Sequence, residues 1–153
     1  MNRFPDLIRK YAHKHPDKRA THFEGRDFTY AQFRDRIQSM AQVLVDMGVK
    51  PGDRVAYLAK NMGCYYEQLF GCAKARAAMT GINNRLAPPE MKFILSDSDS
   101  KLLFVSKDFY GVVEQIASEC KSLGQIIAIA VLAGIGLMVI GQDILISDLG
   151  PSV

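Results

Sequence analysis

The chain has 153 residues, of which 48% are hydrophobic and 23% are charged. A chain of this length can bury about two-thirds of its unfolded surface and can form one domain with a true core. Its ordinary composition excludes a disordered, collagen-like or disulfide-scaffold protein. The net charge is +3. The cations of the first third are interleaved with acids, which favours a solvated face over a nucleic-acid surface.

Three cysteines, Cys64, Cys72 and Cys120, form neither an even disulfide framework nor a CxxC pair. Cys64 and Cys72 would lie about 12 Å apart along one helix, which is too far to share a metal ion or a disulfide. We therefore expect buried, reduced thiols in a cytoplasmic protein. We expect no secretory signal, because proline and charged residues interrupt the first apolar residues.

The first predicted element is a helix over about residues 5–13, which Pro16 ends. Its apolar stripe is predicted to consist of three residues: Leu7, Ile8 and Tyr11. Residues 20–23 and 26–28 flank Glu24-Gly25, and this arrangement predicts a short hairpin.

A second, longer helix is predicted to begin at Thr29. Thr29 and Gln32 fit a capping box, in which each side chain satisfies a backbone donor of the other residue. The apolar residues that follow recur at helical spacing: Phe33, Ile37, Met40, Ala41, Leu44 and Met47. Gly48 follows as the expected end of this helix.

Short apolar strands alternate with amphipathic helices through the middle of the chain. The strands are expected at residues 55–58, 79–82 and 101–105. The helices are expected at residues 64–77, packing through Tyr65, Leu69, Cys72 and Ala73; at residues 88–95; and from a cap at Asp108 to about Cys120. This alternation predicts an α/β fold with a parallel sheet.

Residues 126–141 contain no polar side chain. The segment is shorter than the ~20 residues that a helix needs to cross a bilayer. We therefore predict a buried strand over residues 126–129 followed by a second apolar segment. Membrane association through residues 126–141 is the alternative.

No complete nucleotide loop is present. Gly136 and Gly141 have the glycine spacing of a phosphate-binding loop, but Gln142 stands in place of its lysine and Asp143 in place of its Ser/Thr. The carboxylate of Asp143 would repel an anion, so we reject this segment as a phosphate site.

Neither the histidines nor the paired acids predict a catalytic or metal site. His13 and His15 are two positions apart, on different sides of a helix, so they cannot jointly hold a metal ion there. His22 is not part of a nucleophile motif. Asp97 and Asp99 belong to a serine-rich turn and are expected to be solvated.

Five runs of residues, in order, carry a family pattern: Phe28-Thr29-Tyr30, Gly48 to Ala56, Asn61, Asn83-Asn84-Arg85-Leu86, and Ser96 to Val105. Their order and spacing resemble the N-terminal part of the AMP-forming acyl-CoA synthetases, in the adenylate-forming superfamily. The resemblance implies an α/β fold in which helices flank a partial parallel sheet, like the first subdomain of that family's N-terminal domain. We expect a family domain over residues 1–123 and a divergent apolar tail over residues 124–153.

The resemblance also implies a chemistry. In this family a carboxylate attacks the α-phosphate of ATP to give an acyl-adenylate, and the CoA thiol then displaces AMP, with ATP, Mg²⁺ and CoA as cofactors. The family uses a Ser/Thr/Gly-rich Pro-Lys-Gly loop, a later acidic motif and a lysine in a separate C-terminal domain. No position of this sequence matches any of the three, so we expect no catalytic residue here and no adenylation by this chain alone.

Arg85 is the one candidate cofactor-binding residue that the resemblance implies. It lies in the family's Asn-x-Arg-Leu segment, near where the CoA nucleotide approaches, and a guanidinium suits a phosphate by bidentate geometry. The alternative is an ion pair between Arg85 and Glu90. A departure from the family occurs at Arg76, where glycine is common.

Two hypotheses follow. The first is a truncated acyl-CoA synthetase-like ligase for a fatty or other carboxylic acid, which works with the missing remainder of the enzyme or as a homo-oligomer. The second is a non-catalytic module that docks on a partner or membrane through its apolar tail.

Overall fold

The computed structural model of the chain describes residues 4–132 and 136–140, with side chains up to residue 129. In these residues the elements, in order, are α1 (Phe4–Lys14), β1 (Arg19–Phe23), β2 (Arg26–Thr29), α2 (Tyr30–Asp46), β3 (Arg54–Leu58), α3 (Tyr65–Lys74), β4 (Ala78–Gly81), α4 (Pro88–Asp97), β5 (Leu102–Ser106), α5 (Tyr110–Ile116), β6 (Gln125–Leu132) and β7 (Gly136–Ile140). Short 3₁₀ turns, Lys107–Phe109 and Ala117–Glu119, precede and follow α5.

The chain divides into two compact units. The first contains the residues up to Asp53 together with Asn61–Met79, and so holds α1, the β1–β2 hairpin, α2 and α3. The second contains Arg54–Lys60 and the residues from Thr80 onward, and so holds most of the larger sheet with α4 and α5.

The first unit confirms the predicted hairpin and the predicted capping box. β1 and β2 pair antiparallel, and Glu24 and Gly25 have φ of 47° and 75°, the positive values that a tight hairpin turn favours. At the start of α2 the Thr29 hydroxyl accepts from the Gln32 backbone N–H at 3.3 Å. The Gln32 side chain accepts from the Thr29 N–H at 2.9 Å.

The predicted face of α2 is buried, with Met47 half-buried at its end. The prediction for α1 was wrong in part, because Leu7 and Tyr11 are 49% and 42% exposed. Ile8 and Ala12 face inward instead, four residues apart on one side of the helix. Ile8 joins a cluster with three residues of α2 and α3: Phe33, Ile37 and Phe70.

Helix α3 is shorter than predicted, and of its four predicted packing residues only Cys72 is buried. It ends at Lys74, not Ala77, and its buried residues are Glu67, Gln68, Phe70, Gly71 and Cys72. The other three residues that we expected to pack are only half-buried: Tyr65, Leu69 and Ala73. The helix also turns an acid inward, and the buried Glu67 carboxylate is paired with Arg36 of α2.

Arg76, just after α3, has a left-handed backbone with φ of 65°. A side chain at this position costs roughly 1–2 kcal/mol, whereas glycine adopts the conformation freely. We expect Arg76→Gly to raise the free energy of unfolding by about 0.5–1 kcal/mol, because it relieves this strain. The gain is smaller than the strain itself, because glycine also has more freedom in the unfolded chain. Urea denaturation of Arg76→Gly and Arg76→Ala measures this. An equal gain in Arg76→Ala would show that the charge, and not the backbone, is responsible.

The second unit carries the parallel sheet that the strand and helix alternation predicts. The strand order is β4-β3-β5-β6-β7. β5 pairs in parallel with β3 and with β6, and β7 returns antiparallel to β6. The strands of the centre are continuous apolar runs, as expected where both faces of a sheet are buried.

One face of this sheet packs against α4 and α5. The core there combines strand residues with helix residues: Ala56, Leu58, Leu103, Val105, Met91, Leu95, Val113 and Ile116. The predicted cap at Asp108 was wrong, because a 3₁₀ turn precedes α5 and the Asp108 carboxylate instead pairs with Lys60 at 3.3 Å.

The apolar segment near the end of the described chain begins with a buried strand, as predicted. β6 extends beyond residues 126–129, and Ile127, Ala128 and Ile129 are buried. In the described part of the chain, no helix combines the length and the apolar character that a membrane crossing requires. The proposed boundary between residues 123 and 124 stays a prediction.

Candidate functional site: the loop after β4

The loop that contains Arg85 follows β4, at the carboxyl edge of the parallel sheet. In open α/β sheets, ligands bind outside the carboxyl ends of the strands, where successive connections leave in opposite directions. In this sheet β4 lies on one side of β3 and β5 on the other. The loops after β3, β4 and β5 therefore line the edge at which this fold class binds ligands.

Backbone and side-chain hydrogen bonds hold this loop in place. The Ile82 N–H donates to Tyr57 O at 2.9 Å, and the Asn84 side-chain amide donates to Ala59 O at 3.1 Å. The Arg85 N–H donates to the Asn83 side-chain oxygen at 3.0 Å. The two asparagines of the family segment thus shape the loop that presents Arg85.

The Arg85 side chain is exposed. Within residues 4–132 and 136–140, no carboxylate lies at ion-pair distance from its guanidinium. The alternative that we considered, an ion pair with Glu90, does not form. The Glu90 carboxylate accepts instead from the Ala87 N–H at 2.8 Å, at the start of α4. Arg85 is therefore oriented by its backbone and keeps its donors for another group.

A shallow groove of about 410 Å³ adjoins this loop. Its lining comes from the residue after Arg85 and the first turns of α4: Leu86, Pro89, Glu90, Phe93 and Ile94. Phe93 is 67% exposed, whereas Leu86 packs against the core. The groove is mainly apolar, and it begins at the residue that follows Arg85 in the chain.

Two further groups at this edge were not found from the sequence. Lys60 follows β3 and Asp108 follows β5, so their ion pair bridges neighbouring strand ends. The buried Ser106 hydroxyl, at the end of β5, has no hydrogen-bond partner within the described residues. A polar or charged residue at the end of an apolar strand is too common a pattern for the sequence to have identified the ion pair or the serine.

The histidines that the sequence offered as candidates belong to α1, the residues just after it, and the hairpin. His13 is in the last turn of α1 and His15 just beyond it, and both are exposed. His22 hydrogen-bonds Asp27 across the hairpin, and this bond holds the pKa of Asp27 below its usual value. All three histidines belong to the first compact unit.

The two acids of the serine-rich turn are solvated, as predicted. Asp97 ends α4, and both Asp97 and Asp99 are exposed. The hydrogen bond from Lys101 lowers the pKa of Asp99. The described residues contain no group of three or more potential metal ligands.

The three cysteines are buried and unbridged. Burial raises the pKa of the Cys72 thiol to about 12, so Cys72 stays protonated at neutral pH and is a poor nucleophile. Their burial and the absence of a bridge between them agree with the expectation of buried, reduced thiols.

Parallel strands with helices on the sheet and polar loops at its carboxyl edge define an α/β domain of the open-sheet class. The model of the AMP-binding enzyme family matches residues 8–137. The chain therefore belongs to the AMP-binding enzyme family.

Two relatives with assigned activities show the extent of the likeness. ScoC, a fatty acid–[acyl-carrier-protein] ligase from Streptomyces coeruleorubidus, is 43% identical over 106 residues, which cover 69% of this chain and 20% of ScoC. The oxalate–CoA ligase of Arabidopsis thaliana is 38% identical over 117 residues, covering 75% of this chain and 23% of that enzyme. This chain thus spans about a fifth of the length of these relatives.

Solved structures agree in fold. The inhibitor-bound N-terminal domain of FACL13 from Mycobacterium tuberculosis matches with a TM-score of 0.80 and 32% identity, over 84% of this chain and 33% of that one. The anthranilate–CoA ligase AuaEII, in complex with anthranoyl-AMP, matches with a TM-score of 0.79 and 26% identity, over 84% of this chain and 25% of AuaEII. The resemblance to the N-terminal part of the acyl-CoA ligases is confirmed.

Proposed function

We propose that this chain forms the N-terminal scaffold of an AMP-forming acid–thiol ligase for a fatty or other carboxylic acid. The family match over residues 8–137 carries this proposal. The fatty acid and CoA ligases among its relatives support the substrate class. Activation by such a ligase passes through an acyl-adenylate, which the thiol of an acceptor then attacks, with ATP, Mg²⁺ and CoA as the cofactors.

The adenylation step depends on groups that this sequence does not contain. It requires cations and donors placed around the phosphoryl oxygens and the carbonyl of the substrate. The sequence holds no Pro-Lys-Gly loop rich in Ser, Thr and Gly. The scaffold then contributes the sheet and its edge loops, and the remainder of a ligase contributes the phosphate chemistry.

A chimeric enzyme tests the scaffold role. The long-chain-fatty-acid–CoA ligase FadD13 of Mycobacterium tuberculosis is 38% identical over 98 residues of this chain, so those residues can replace the matching segment of FadD13. We expect the chimera to form acyl-CoA and to exchange pyrophosphate into ATP. We expect the 153-residue chain alone to show no ATP–pyrophosphate exchange above a buffer control.

The two arms of this experiment have different meanings. A folded, monodisperse chimera without exchange activity would contradict the scaffold role. ATP–pyrophosphate exchange by the chain alone would contradict the proposal that the rest of a ligase supplies the phosphate chemistry. Unmodified FadD13 is the positive control for both arms.

We further propose that Arg85 contacts a phosphate of CoA. Its side chain is exposed and has no carboxylate partner within the described residues, and the residue that follows it lines an apolar groove. A charge-assisted hydrogen bond contributes about 1.5–3 kcal/mol. In the FadD13 chimera we therefore expect Arg85→Ala to raise the KM for CoA about tenfold or more, without changing ATP–pyrophosphate exchange.

Two variants make this test specific. Arg85→Lys keeps the charge without the bidentate geometry and should restore part of the affinity for CoA. Lys74→Ala removes an exposed cation at the end of α3 and should leave the KM for CoA unchanged. A loss of exchange in Arg85→Ala with an unchanged KM for CoA would contradict a role in binding CoA.

A further inference from the structure

The outward surface of α1 exposes apolar side chains. Phe4, Leu7 and Tyr11 are 54%, 49% and 42% exposed. Their spacing of i, i+3 and i+7 places them in one line along the helix. We call this line the α1 ridge. Ile8 and Ala12, which anchor the helix to its own unit, are buried.

The ridge is held in position from below. The Phe4 ring stacks on the Phe70 ring with centroids 4.5 Å apart, and the Tyr11 ring stacks on Tyr30 at 5.4 Å. These contacts fix the rings while leaving their outer parts in water. A surface that is already ordered loses little side-chain entropy when it binds.

Positive charge borders the ridge. Lys10 and Lys14 follow Leu7 at i+3 and i+7, and therefore share its side of the helix. Asp6 is the one acid of α1, and its carboxylate is paired with Arg9 at 3.0 Å. Phe4, Leu7 and Lys10 also line a cavity of about 700 Å³ beside the helix, together with Asp6 and with Arg34 of α2, which is paired with Asp35. Lys10 and Lys14 are both exposed, so the surface beside the ridge suits an anionic partner.

We propose that the α1 ridge and its bordering lysines form a docking surface for a lipid bilayer that contains anionic lipids. This role is separate from the ligase chemistry and does not rest on it. An interfacial helix buries apolar side chains at the level of the acyl boundary, while lysines reach the lipid headgroups. The ridge has that order of groups, with Leu7 between two aromatic residues and the two lysines along one side.

A bilayer fits this surface better than an acidic protein does. The ridge is a short row of three exposed side chains, and a fluid interface can receive such a row without a surface of matching shape. The attraction to anionic lipid is about 1 kcal/mol for each lysine near the surface and is screened by salt. A short ridge with few lysines therefore predicts reversible, salt-sensitive attachment.

Co-sedimentation of the full chain with vesicles tests the proposal. Vesicles of phosphatidylcholine with about 30% phosphatidylserine should bind the chain at low salt, and pure phosphatidylcholine vesicles should not. We expect Lys10→Ala to lower the partition coefficient about fivefold. Leu7→Ser should lower it about tenfold. The side chains of Leu7 and Lys10 are both exposed, so circular dichroism of the two variants should show an unchanged fold.

Control variants and a competitor decide between the outcomes. Phe93→Ser removes an exposed ring from α4, and Lys121→Ala removes an exposed cation; neither should change binding. Equal binding to neutral vesicles, or binding insensitive to Leu7→Ser and Lys10→Ala, would overturn the proposal. Binding of soluble poly-glutamate without binding to vesicles would overturn it in favour of an acidic protein partner.

Discussion

Replacing Arg36 with alanine is expected to lower the free energy of unfolding by about 3–5 kcal/mol. The Arg36 guanidinium makes two hydrogen bonds to the Glu67 carboxylate, at 2.6 and 2.9 Å. The Glu67 side chain is only 4% exposed. Without its partner it becomes an uncompensated buried charge, which is the costly outcome of breaking such a pair. Guanidinium denaturation at neutral pH measures the change.

Arg36 also lies over the Phe28 ring, 4.5 Å from its centroid, so the truncation removes a cation–π contact as well. Two controls separate the buried charge from general damage. Glu119→Ala breaks the ion pair with Lys92, which is largely exposed, and should cost less than about 1 kcal/mol. The double variant Arg36→Met, Glu67→Leu should recover much of the loss, because no unpaired charge remains. A double variant as unstable as Arg36→Ala would contradict this explanation.

Replacing Gly71 with alanine is expected to lower the free energy of unfolding by about 1–3 kcal/mol. Gly71 lies in α3, and a methyl group there would stand 2.4 Å from Met40 Cγ and 2.9 Å from Met40 Cβ in α2. The second of these atoms is next to the backbone and cannot swing away. The two helices must therefore separate or shift. Thermal and denaturant unfolding would measure the loss.

Gly111 provides the matched control for this substitution. It lies in α5, and a methyl group there would meet nothing within 4 Å. Gly111→Ala should therefore raise the free energy of unfolding by about 0.5–1 kcal/mol, because alanine favours a helix. Combining Gly71→Ala with Met40→Ala should cost less than the sum of the two single changes. Changes of the same sign at Gly71 and Gly111 would rule out the steric explanation.

The placement of the helices and strands was largely predictable from the sequence, because local patterns determine it. The capping box at Thr29 and Gln32, the helical spacing that follows, and the Glu24-Gly25 turn each involve residues a few positions apart. The failures concern which side of a helix faces inward. Periodicity alone placed Leu7 and Tyr11 in the core, yet both are largely exposed.

At the candidate site, the sequence could predict Arg85 but not the contacts that shape its loop. The family segment pointed to Arg85, but the hydrogen bonds of Asn83 and Asn84 that shape its loop, and the use of Glu90 by the Ala87 N–H, required coordinates. Lys60 and Asp108, whose ion pair bridges two strand ends, are 48 positions apart in the chain. No local pattern links them.

By itself, the sequence determined the family, the order of helices and strands, and the parallel α/β class, since these follow from short motifs and from apolar spacing. The tertiary structure alone decided that Glu67 is buried against Arg36, that Gly71 must lack a side chain beside Met40, and that α1 turns its ridge outward. The physical reason is that burial and pairing depend on which elements meet in space. Contacts between residues far apart in the chain leave no periodic trace in the sequence.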